Sequence, residues 1–217
     1  QSAYIRSTET AILRILSDIL LALDSGNIAV LSLLDLSADF DTVDHETLLT
    51  RLDRSYGCTG AVLGWFESYL TGCTQSVRCS SSSSDYLSVR FGVPQGSVLG
   101  PILFLLYVAD LLLLIRRHKL LPHSYADDTQ ICGFSSPKPE EISALAARLS
   151  TCSDDIARWM KCNRLQLNTS KTEVLWCSSS RRQHVVPIDD VRIADAYVHP
   201  VPSVRNLRVQ FDVALSM

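Results

Sequence analysis

The sequence predicts an α+β protein organised around a sheet, and three stretches carry that prediction. Residues 28–34 form an almost wholly apolar run, which is typical of a strand buried on both faces. Residues 142–159 repeat apolar side chains at 3-4-3-4-3 spacing, the pattern of an amphipathic helix. Between them, two strand-like runs flank the adjacent carboxylates Asp127 and Asp128, which predicts a tight hairpin.

Composition limits the class of protein. The chain has 217 residues, 47% of them hydrophobic, which is enough to bury a substantial core. Its seven cysteines contain no C-x-x-C pair, which argues against a disulfide framework or a zinc site and for a reducing compartment. The formal net charge of -3 counts against a protein that binds nucleic acid over its whole surface. Since the chain begins at Gln1 without a signal segment, we expect an intracellular fragment (nucleus or cytoplasm) that is not secreted.

Helices are expected on both sides of the first strand. The first is predicted over residues 8–24 and closed by Gly26. The strand at 28–34 ends at Asp35, and Asp44 is a good N-cap for the next helix. That helix would present one apolar face, formed by Leu48, Leu49, Leu52 and Tyr56. A third helix is expected to bury its apolar residues in the core, namely Val62, Trp65, Phe66, Tyr69 and Leu70.

A hairpin insert and a long apolar run follow. Residues 75–79 and 86–91 read as two strands around a flexible tip of serines at 80–84. The run 98–115 has one charge, Asp110, so a membrane span is an alternative to a core helix. A core helix needs no special context and explains a charge near its end. We therefore predict a core helix and no membrane partner.

The order of elements brings distant acids together. After the helix at 142–159, residues 172–177 suggest a strand, residues 178–203 are loop-like, and 204–213 hold one more strand. Without the insert the order is β-α-β-β-α-β, a split ferredoxin-like sheet whose first and third strands are neighbours. Asp35 would then lie beside Asp127 and Asp128. Oxygen ligands with no His or Cys nearby predict Mg²⁺ rather than zinc.

Five motifs carry a family resemblance. Residues 34–45 (LDLSADFDTVDH), 92–101 (GVPQGSVLGP) and 125–128 (YADD) resemble blocks A, B and C of reverse transcriptases. Residues 168–173 (NTSKTE) and 204–209 (VRNLRV) resemble block D and the block E primer grip. The chain looks most similar to the polymerases of non-LTR (LINE-type) retrotransposons, and the five blocks occur in the family's order.

The resemblance implies a right-hand polymerase palm with part of the fingers, acting as an RNA-directed DNA polymerase. Asp35 and Asp127 would hold two Mg²⁺ ions, for which Mn²⁺ can substitute, with Asp128 as a weaker ligand. A DNA primer 3′-hydroxyl, paired to an RNA template, would attack the α-phosphorus of a dNTP. Lys171 would protonate the leaving pyrophosphate.

The resemblance also implies residues around the nucleotide and the primer. Phe40 would be the steric gate against a ribose 2′-hydroxyl, and Gln95 and Gly96 would support the incoming nucleotide. Leu207 and Arg208 would belong to the primer grip. Without the resemblance, Phe40 reads as a core residue, Gln95 and Gly96 as a turn, and Lys171 as a surface lysine.

The implied domains are an N-terminal helix at the fingers or palm edge (1–27), a palm with a fingers hairpin near 73–92 (28–178), and a loop with a primer-grip-like strand (179–217). The chain would end before the thumb, and further fingers and an endonuclease would belong to a longer polyprotein.

Several residues depart from the family pattern. Asp39 replaces a small neutral residue near the expected triphosphate, Arg208 replaces a glycine, and Thr169 stands where a proline is common. A second hypothesis is therefore a catalytically inactive remnant, or a nucleic-acid-binding module with the same fold. A metal-dependent phosphohydrolase is a third. It would need a water-activating base, and neither His45 nor His123 falls in a motif for that role.

Overall fold

The computed structural model describes residues 7–37, 40–94, 96–126 and 128–215, which fall into two units. Unit 1 comprises the described residues within 1–37, 109–162 and 166–217. Unit 2 comprises those within 38–108 and 163–165.

Helices and strands alternate irregularly along the described chain. The helices are α1 (Thr8–Asp24), α2 (His45–Arg54), α3 (Gly60–Leu70), α4 (Leu99–Arg117) and α5 (Pro139–Cys162), with a 3₁₀ helix at Ser180–Val185. The first eight strands are β1 (Ile28–Leu34), β2 (Leu36–Ser37), β3 (Thr74–Gln75), β4 (Arg78–Cys79), β5 (Ser82–Ser83), β6 (Leu87–Ser88), β7 (Leu121–Tyr125) and β8 (Asp128–Ser135). The others are β9 (Gln166–Leu167), β10 (Glu173–Cys177), β11 (Val191–Ile193), β12 (Ala196–Val198), β13 (Ser203–Asn206) and β14 (Val209–Asp212).

Unit 1 is built on a four-stranded antiparallel sheet in the order β10-β1-β8-β7. In the register of this sheet, Leu31 of β1 lies opposite Leu175 on one side and Cys132 on the other. The predicted neighbours β1 and β8 are thus confirmed. The strand order is that of a split β-α-β-β-α-β unit, as the element order predicted.

Both faces of this sheet are covered within unit 1. On one face, α1 and the β13–β14 pair join a buried apolar cluster that includes Ile15, Leu31 and Phe211. On the other, α5 approaches β8 at Gly133, where an added Cβ would lie 2.6 Å from Leu145 Cδ1. Helix α5 buries its predicted stripe, except that Met160 rather than Trp159 takes the last buried position.

Unit 2 contains α2, α3 and the hairpin insert. The predicted hairpin forms two short ladders, with β3 paired to β6 and β4 paired to β5. Ser82 and Ser83, predicted to lie in a flexible tip, form strand β5 instead. A polar network joins α2 to the segment 163–165. Arg51 Nη2 donates to Asn163 Oδ1 at 2.7 Å and its Nη1 donates to the carbonyl of Tyr107, whose hydroxyl donates to the Asn163 carbonyl at 2.7 Å. Burial raises the pKa of Tyr107, which keeps that hydroxyl a donor.

Helix α3 does not bury its apolar face as predicted. Leu70 is buried, whereas Val62 is 54% exposed and Trp65 is 51% exposed. Trp65 instead stacks on Tyr69, with ring centroids 5.7 Å apart. An apolar stripe at helical spacing shows which residues share a face, and it does not show whether another element covers that face.

Helix α4 is long and apolar enough to cross a membrane by length and composition, with a mean hydropathy of 2.0. Half of that apolar window is buried within the protein. The buried side chains include Leu103, Phe104, Tyr107, Leu111 and Ile115. This burial supports the predicted core helix.

The segment after β10 is more regular than predicted. The stretch 178–203 is not a plain loop, because it contains the 3₁₀ helix and the β11–β12 hairpin. The single strand expected at 204–213 is two strands, β13 and β14, joined by Leu207 and Arg208. Neither two-residue turn, at 194–195 or at 207–208, contains the Gly or Asn that often marks a hairpin turn. The sequence pattern therefore did not predict these two hairpins.

The β13–β14 turn holds two side chains in left-handed backbone conformations, with φ of +46° at Leu207 and +72° at Arg208. Such a φ disfavours an L-residue and suits glycine. We expect Arg208→Gly to raise the free energy of unfolding by about 0.5–1 kcal/mol, the relief of strain less the added freedom of the unfolded chain. Urea unfolding would measure the change.

Arg205→Gly is the matched control, since Arg205 is an exposed residue of the neighbouring strand β13. That change should lower stability by roughly 0.5–1 kcal/mol, because glycine weakens a strand interior. Equal losses for both variants would contradict the turn geometry.

Candidate active site

Asp35 directly follows β1, and its backbone is held by the segment that carries Asn168. Its carbonyl accepts a hydrogen bond from the Asn168 backbone N–H at 2.9 Å. Directly after it, β2 pairs with β9, with Leu36 opposite Leu167. Asp35 is therefore held between the sheet and the loop that carries the block D residues.

Asp128 begins β8 on the neighbouring strand. The β1–β8 register pairs Leu34 with Thr129. In an antiparallel pair the next step of this register sets Asp35 opposite Asp128. The hairpin predicted around these acids is confirmed, with Tyr125 paired to Asp128. Asp127, the predicted second metal ligand, lies outside the described residues.

Asp35 and Asp128 both line a cavity of about 150 Å³ in unit 1. Four of the predicted site residues line it: Asp35, Asp128, Lys171 and Leu207. The other lining residues were missed from the sequence: Leu33, Leu34, Thr129, Gln130, Glu173, Arg205 and Asn206. Arg208 is exposed at the adjoining turn and does not line the cavity.

Lys171 supplies a positive charge to this cavity. Its Nζ lies 3.6 Å from Asp35 Oδ2, and its side chain is 68% exposed. An exposed pair of this kind contributes little to stability. The loop behind it is tightly folded, because Asn168 O accepts from the Lys171 N–H at 3.2 Å and from Thr172 Oγ1 at 3.0 Å. The lysine is thus placed beside the carboxylate by its loop, and its head remains free to meet a ligand.

Asn206 is a buried amide on the wall of the same cavity. It is 4% exposed, and its Oδ1 accepts a hydrogen bond from Gln130 Nε2 at 3.2 Å. Its Nδ2 has no hydrogen-bond partner among the described residues. A buried donor left unpaired costs roughly 1–3 kcal/mol. Asn206 lies within the block E motif at 204–209, but its place on the cavity wall follows from the β13–β14 register, which the sequence did not predict.

Carboxylate oxygens at the cavity are of the type that Mg²⁺ and Mn²⁺ prefer. Within the described ranges, which omit Asp127, no group of three or more His, Cys, Asp or Glu residues is close enough to hold a metal ion. Asp35 and Asp128 are therefore the described part of the predicted metal site.

Phe40 belongs to unit 2, where its backbone and its ring are both held. The Phe40 carbonyl accepts from the Val93 N–H at 2.7 Å, and the Gly92 N–H donates to the Val43 carbonyl at 2.7 Å. Gly92 has φ of +89°, and an added Cβ would lie 2.9 Å from the Phe40 carbonyl oxygen. The Phe40 ring lies against Phe104, with centroids 4.9 Å apart. Asp39, also predicted near the nucleotide, lies outside the described residues.

The block B loop is anchored to the first turn of α4. Ser97 Oγ donates to the Pro94 carbonyl at 2.6 Å and accepts from the Gly100 N–H at 2.9 Å. An added Cβ on Gly100 would lie 2.6 Å from that carbonyl. Gly96 is exposed with φ of +79°, and Gln95 lies outside the described residues. The Ser97 hydrogen bonds thus hold the loop against α4, and the absence of a side chain at Gly100 leaves room for the Pro94 carbonyl.

Asp44 fixes the end of block A within unit 2. Its carboxylate accepts from the Thr47 N–H at 3.0 Å and lies 3.1 Å from Arg164 Nε. The Arg164 guanidinium also lies over the Phe91 ring, 4.7 Å from its centroid. Burial alone would raise the pKa of Asp44, but the hydrogen bonds from Thr47 and the charge of Arg164 hold it below its usual value. Asp44 is confirmed as the predicted N-cap of α2.

Unit 2 also contains a larger cavity, of about 910 Å³, beside the hairpin insert. Its wall combines Asp41, His45 and Arg90 with the apolar residues Leu70 and Val93. His45 Nε2 is already hydrogen-bonded to the Gly92 carbonyl at 2.7 Å. The mixed charges of this wall select no particular ligand.

Comparison with known proteins identifies the family of the chain. A family model described as reverse transcriptase (RNA-dependent DNA polymerase) matches residues 4–202. The chain is 32% identical over 171 residues to a probable RNA-directed DNA polymerase from transposon BS of Drosophila melanogaster, covering 76% of this chain and 18% of the relative. It is 28% identical over 163 residues to the RNA-directed DNA polymerase from mobile element jockey of the same species, covering 73% of this chain and 17% of that protein.

Solved structures show the same fold at low sequence identity. Telomerase from Candida albicans superposes with a TM-score of 0.65 at 14% identity, over 99% of this chain and 34% of the telomerase chain. Apo telomerase from Candida tropicalis, truncated from its C-terminal domain, gives 0.60 at 12% identity, over 97% of this chain and 39% of that one. The chain therefore spans less than a fifth of these two curated relatives and little more than a third of these structures.

Proposed function

The chain belongs to the reverse transcriptase (RNA-dependent DNA polymerase) family, and we propose that it is the RNA-directed DNA polymerase domain of a longer retrotransposon protein. Its curated relatives are polymerases of transposons and mobile elements, which bears out the resemblance to the LINE-type enzymes. The observation that carries the proposal is the cavity shared by Asp35, Asp128 and Lys171. We extend the proposal to an intracellular site of action, where RNA template, DNA primer and dNTP are present.

The sheet of unit 1 is proposed as the polymerase palm, and the hairpin insert of unit 2 as part of the fingers. Strand order β10-β1-β8-β7 supports the first assignment, because it places blocks A and C on adjacent strands. Block D reaches Asp35 through the hydrogen bond from the Asn168 N–H to the Asp35 carbonyl, and block E reaches the cavity through Leu207. Four of the five blocks are therefore represented around one small polar cavity.

Asp35, Asp127 and Asp128 are proposed to hold two Mg²⁺ ions, with Mn²⁺ as a substitute. The fit rests on the donor set, because Asp35 and Asp128 both line the cavity with hard oxygen atoms. When bound, such ions stabilise the attacking and the leaving oxygens of an in-line displacement at phosphorus.

The protein's own groups position the reactants and move one proton. Lys171, beside Asp35, is the proposed donor of a proton to the pyrophosphate oxygen that leaves the α-phosphorus. Phe40 is the proposed gate against the 2′-hydroxyl, with Gln95 and Gly96 beneath the nucleotide. Leu207 and Arg208 are proposed to contact the primer at the β13–β14 turn. Positioning and charge stabilisation carry the catalysis, since little covalent chemistry falls to the protein.

Primer extension tests the proposed function. The purified chain, given a primed RNA template and dNTPs, is expected to lengthen the primer in the presence of Mg²⁺ and not in EDTA. Asp127→Asn should abolish extension, whereas Asp24→Asn, an exposed position at the end of α1, should extend normally. Extension that survives Asp127→Asn would refute the assignment.

A second candidate is an inactive remnant that retains the fold. The observation that favours it is Arg208, whose φ of +72° suits the glycine that the family usually has there. Template binding without primer extension, by a chain that is folded in circular dichroism, would support the remnant. A phosphohydrolase is less well supported, because neither His45 nor His123 lines the carboxylate cavity.

Asp39 is proposed to lie close to the triphosphate and to weaken its binding. A like charge at ~4 Å and an effective dielectric near 20 costs about 4 kcal/mol, of which bound Mg²⁺ would absorb part. Asp39→Ala should therefore lower the KM for dNTP in primer extension. An unchanged or higher KM would refute this role for Asp39.

A further inference from the structure

We infer that Phe104 determines the discrimination between deoxyribonucleotides and ribonucleotides by fixing the ring of Phe40. Phe104 is then a positioning residue for nucleotide selection. The inference rests on the proposed function, and it concerns contacts that lie wholly within unit 2.

The backbone of Phe40 has little freedom to move. Its carbonyl is held by the Val93 N–H at 2.7 Å, and the next residues are held by the hydrogen bond from Gly92 to Val43. Gly92 approaches so closely that an added Cβ would lie 2.9 Å from the Phe40 carbonyl oxygen and 2.9 Å from Asp41 Cα. The position of the Phe40 ring therefore depends mainly on its own side-chain torsions.

Phe104 blocks one direction of that torsional movement. The two ring centroids are 4.9 Å apart, with the planes tilted by 40°. Phe104 is 1% exposed, whereas Phe40 is only partly buried. The Phe40 ring can therefore contact a ligand. The Phe104 ring is held in the core and limits how far the Phe40 ring can move away from that ligand.

Helix α4 connects this support to the nucleotide loop. Gly100, in the first turn of α4, accommodates the Pro94 carbonyl and is bonded to Ser97 Oγ. Phe104 follows Gly100 by four residues, so both lie on the same side of the helix. The loop proposed to support the nucleotide and the ring that supports the gate thus share one rigid element.

A smaller side chain at position 104 would leave room behind Phe40. The Phe40 ring could then turn into that space and admit a ribose 2′-hydroxyl. We expect Phe104→Leu to reduce the ratio of kcat/KM for dCTP over CTP by roughly tenfold, the scale of selectivity that apolar pocket contacts provide. The change in the ratio should come mainly from a lower KM for CTP in Phe104→Leu. The kcat for dCTP should be less affected.

The experiment compares single-nucleotide extension with dCTP and with CTP by the full chain and four variants. Phe40→Val removes the gate directly and should lower the ratio further than Phe104→Leu. In Phe40→Val/Phe104→Leu, the second change should have no added effect, because Phe104 acts through Phe40. Leu111→Ala opens a cavity elsewhere on α4, at a side chain that is 1% exposed, and should leave the ratio unchanged.

The outcomes separate the two levels of the proposal. Extension by the unmodified chain with an unchanged ratio in Phe104→Leu would overturn the role of Phe104 alone. Equal losses in Phe104→Leu and Leu111→Ala would overturn it as well, since general loosening would then explain both. No dNTP extension by the unmodified chain would overturn the proposed function, and the inference would fall with it.

Discussion

Asp35→Asn is expected to lower kcat/KM for primer extension by about 10³-fold, the scale seen when a group that stabilises transition-state charge is removed. The substitution keeps the shape of the side chain and removes the charge that the proposed metal ions require. Stability should change little, within about 0.5 kcal/mol, because the side chain is 37% exposed and its lysine partner is more exposed still. Steady-state extension and urea unfolding measure the two effects separately.

Asp24→Asn is the matched control for this loss. It removes one carboxylate from unit 1 at an exposed position at the end of α1. Its extension rate should equal that of the unmodified chain. A large loss of activity in both variants would mean that net charge, rather than the site at Asp35, governs extension. A fully active Asp35→Asn protein would exclude Asp35 from the reaction.

Gly92→Ala is expected to lower the free energy of unfolding by about 2–4 kcal/mol. Two costs combine, because φ at Gly92 is +89° and the new Cβ would lie 2.9 Å from backbone atoms of Phe40 and Asp41. Backbone atoms cannot move aside as the end of a flexible side chain can. Primer extension should fall together with stability, since the same contacts hold the Phe40 backbone.

Gly57→Ala separates the two costs. Gly57 has a similar φ of +69°, but an added Cβ would meet nothing within 4 Å. This variant should lose only about 1–2 kcal/mol, the cost of the backbone conformation. Urea unfolding of both variants gives the comparison. Equal losses would show that the close approach of Gly92 to block A contributes nothing.

The sheet was predictable because its strands have clear sequence patterns. Residues 28–34 are apolar throughout, and the Asp127–Asp128 pair marks the turn of the next hairpin. The β-α-β-β-α-β order then leaves few topologies, and the one with β1 beside β8 is observed. Asp35 and Asp128 share a cavity for that reason, although they are 93 positions apart in the sequence.

The features that were not predicted depend on backbone conformation, strand register and the packing of elements, which local residue spacing does not encode. Ala194, Leu207 and Arg208 adopt positive φ although none of them is Gly or Asn, the residues that most readily take this conformation, so neither turn was predicted. Asn206 and Gln130 meet across two hairpins, which requires a register that the single predicted strand at 204–213 could not supply. The exposure of Val62 and Trp65 depends on which elements cover α3, and no local spacing encodes that.

Metal-directed cleavage can show directly whether Asp35 and the Asp127–Asp128 pair share one divalent-ion site. Fe²⁺ in place of Mg²⁺, with ascorbate and peroxide, generates hydroxyl radicals that cut the backbone beside the bound ion. We expect cuts in two segments, around Asp35 and around Asp127–Asp128, both suppressed by excess Mg²⁺ and both weakened by Asp35→Asn. Cuts confined to one segment, or unchanged by Asp35→Asn, would contradict a shared site.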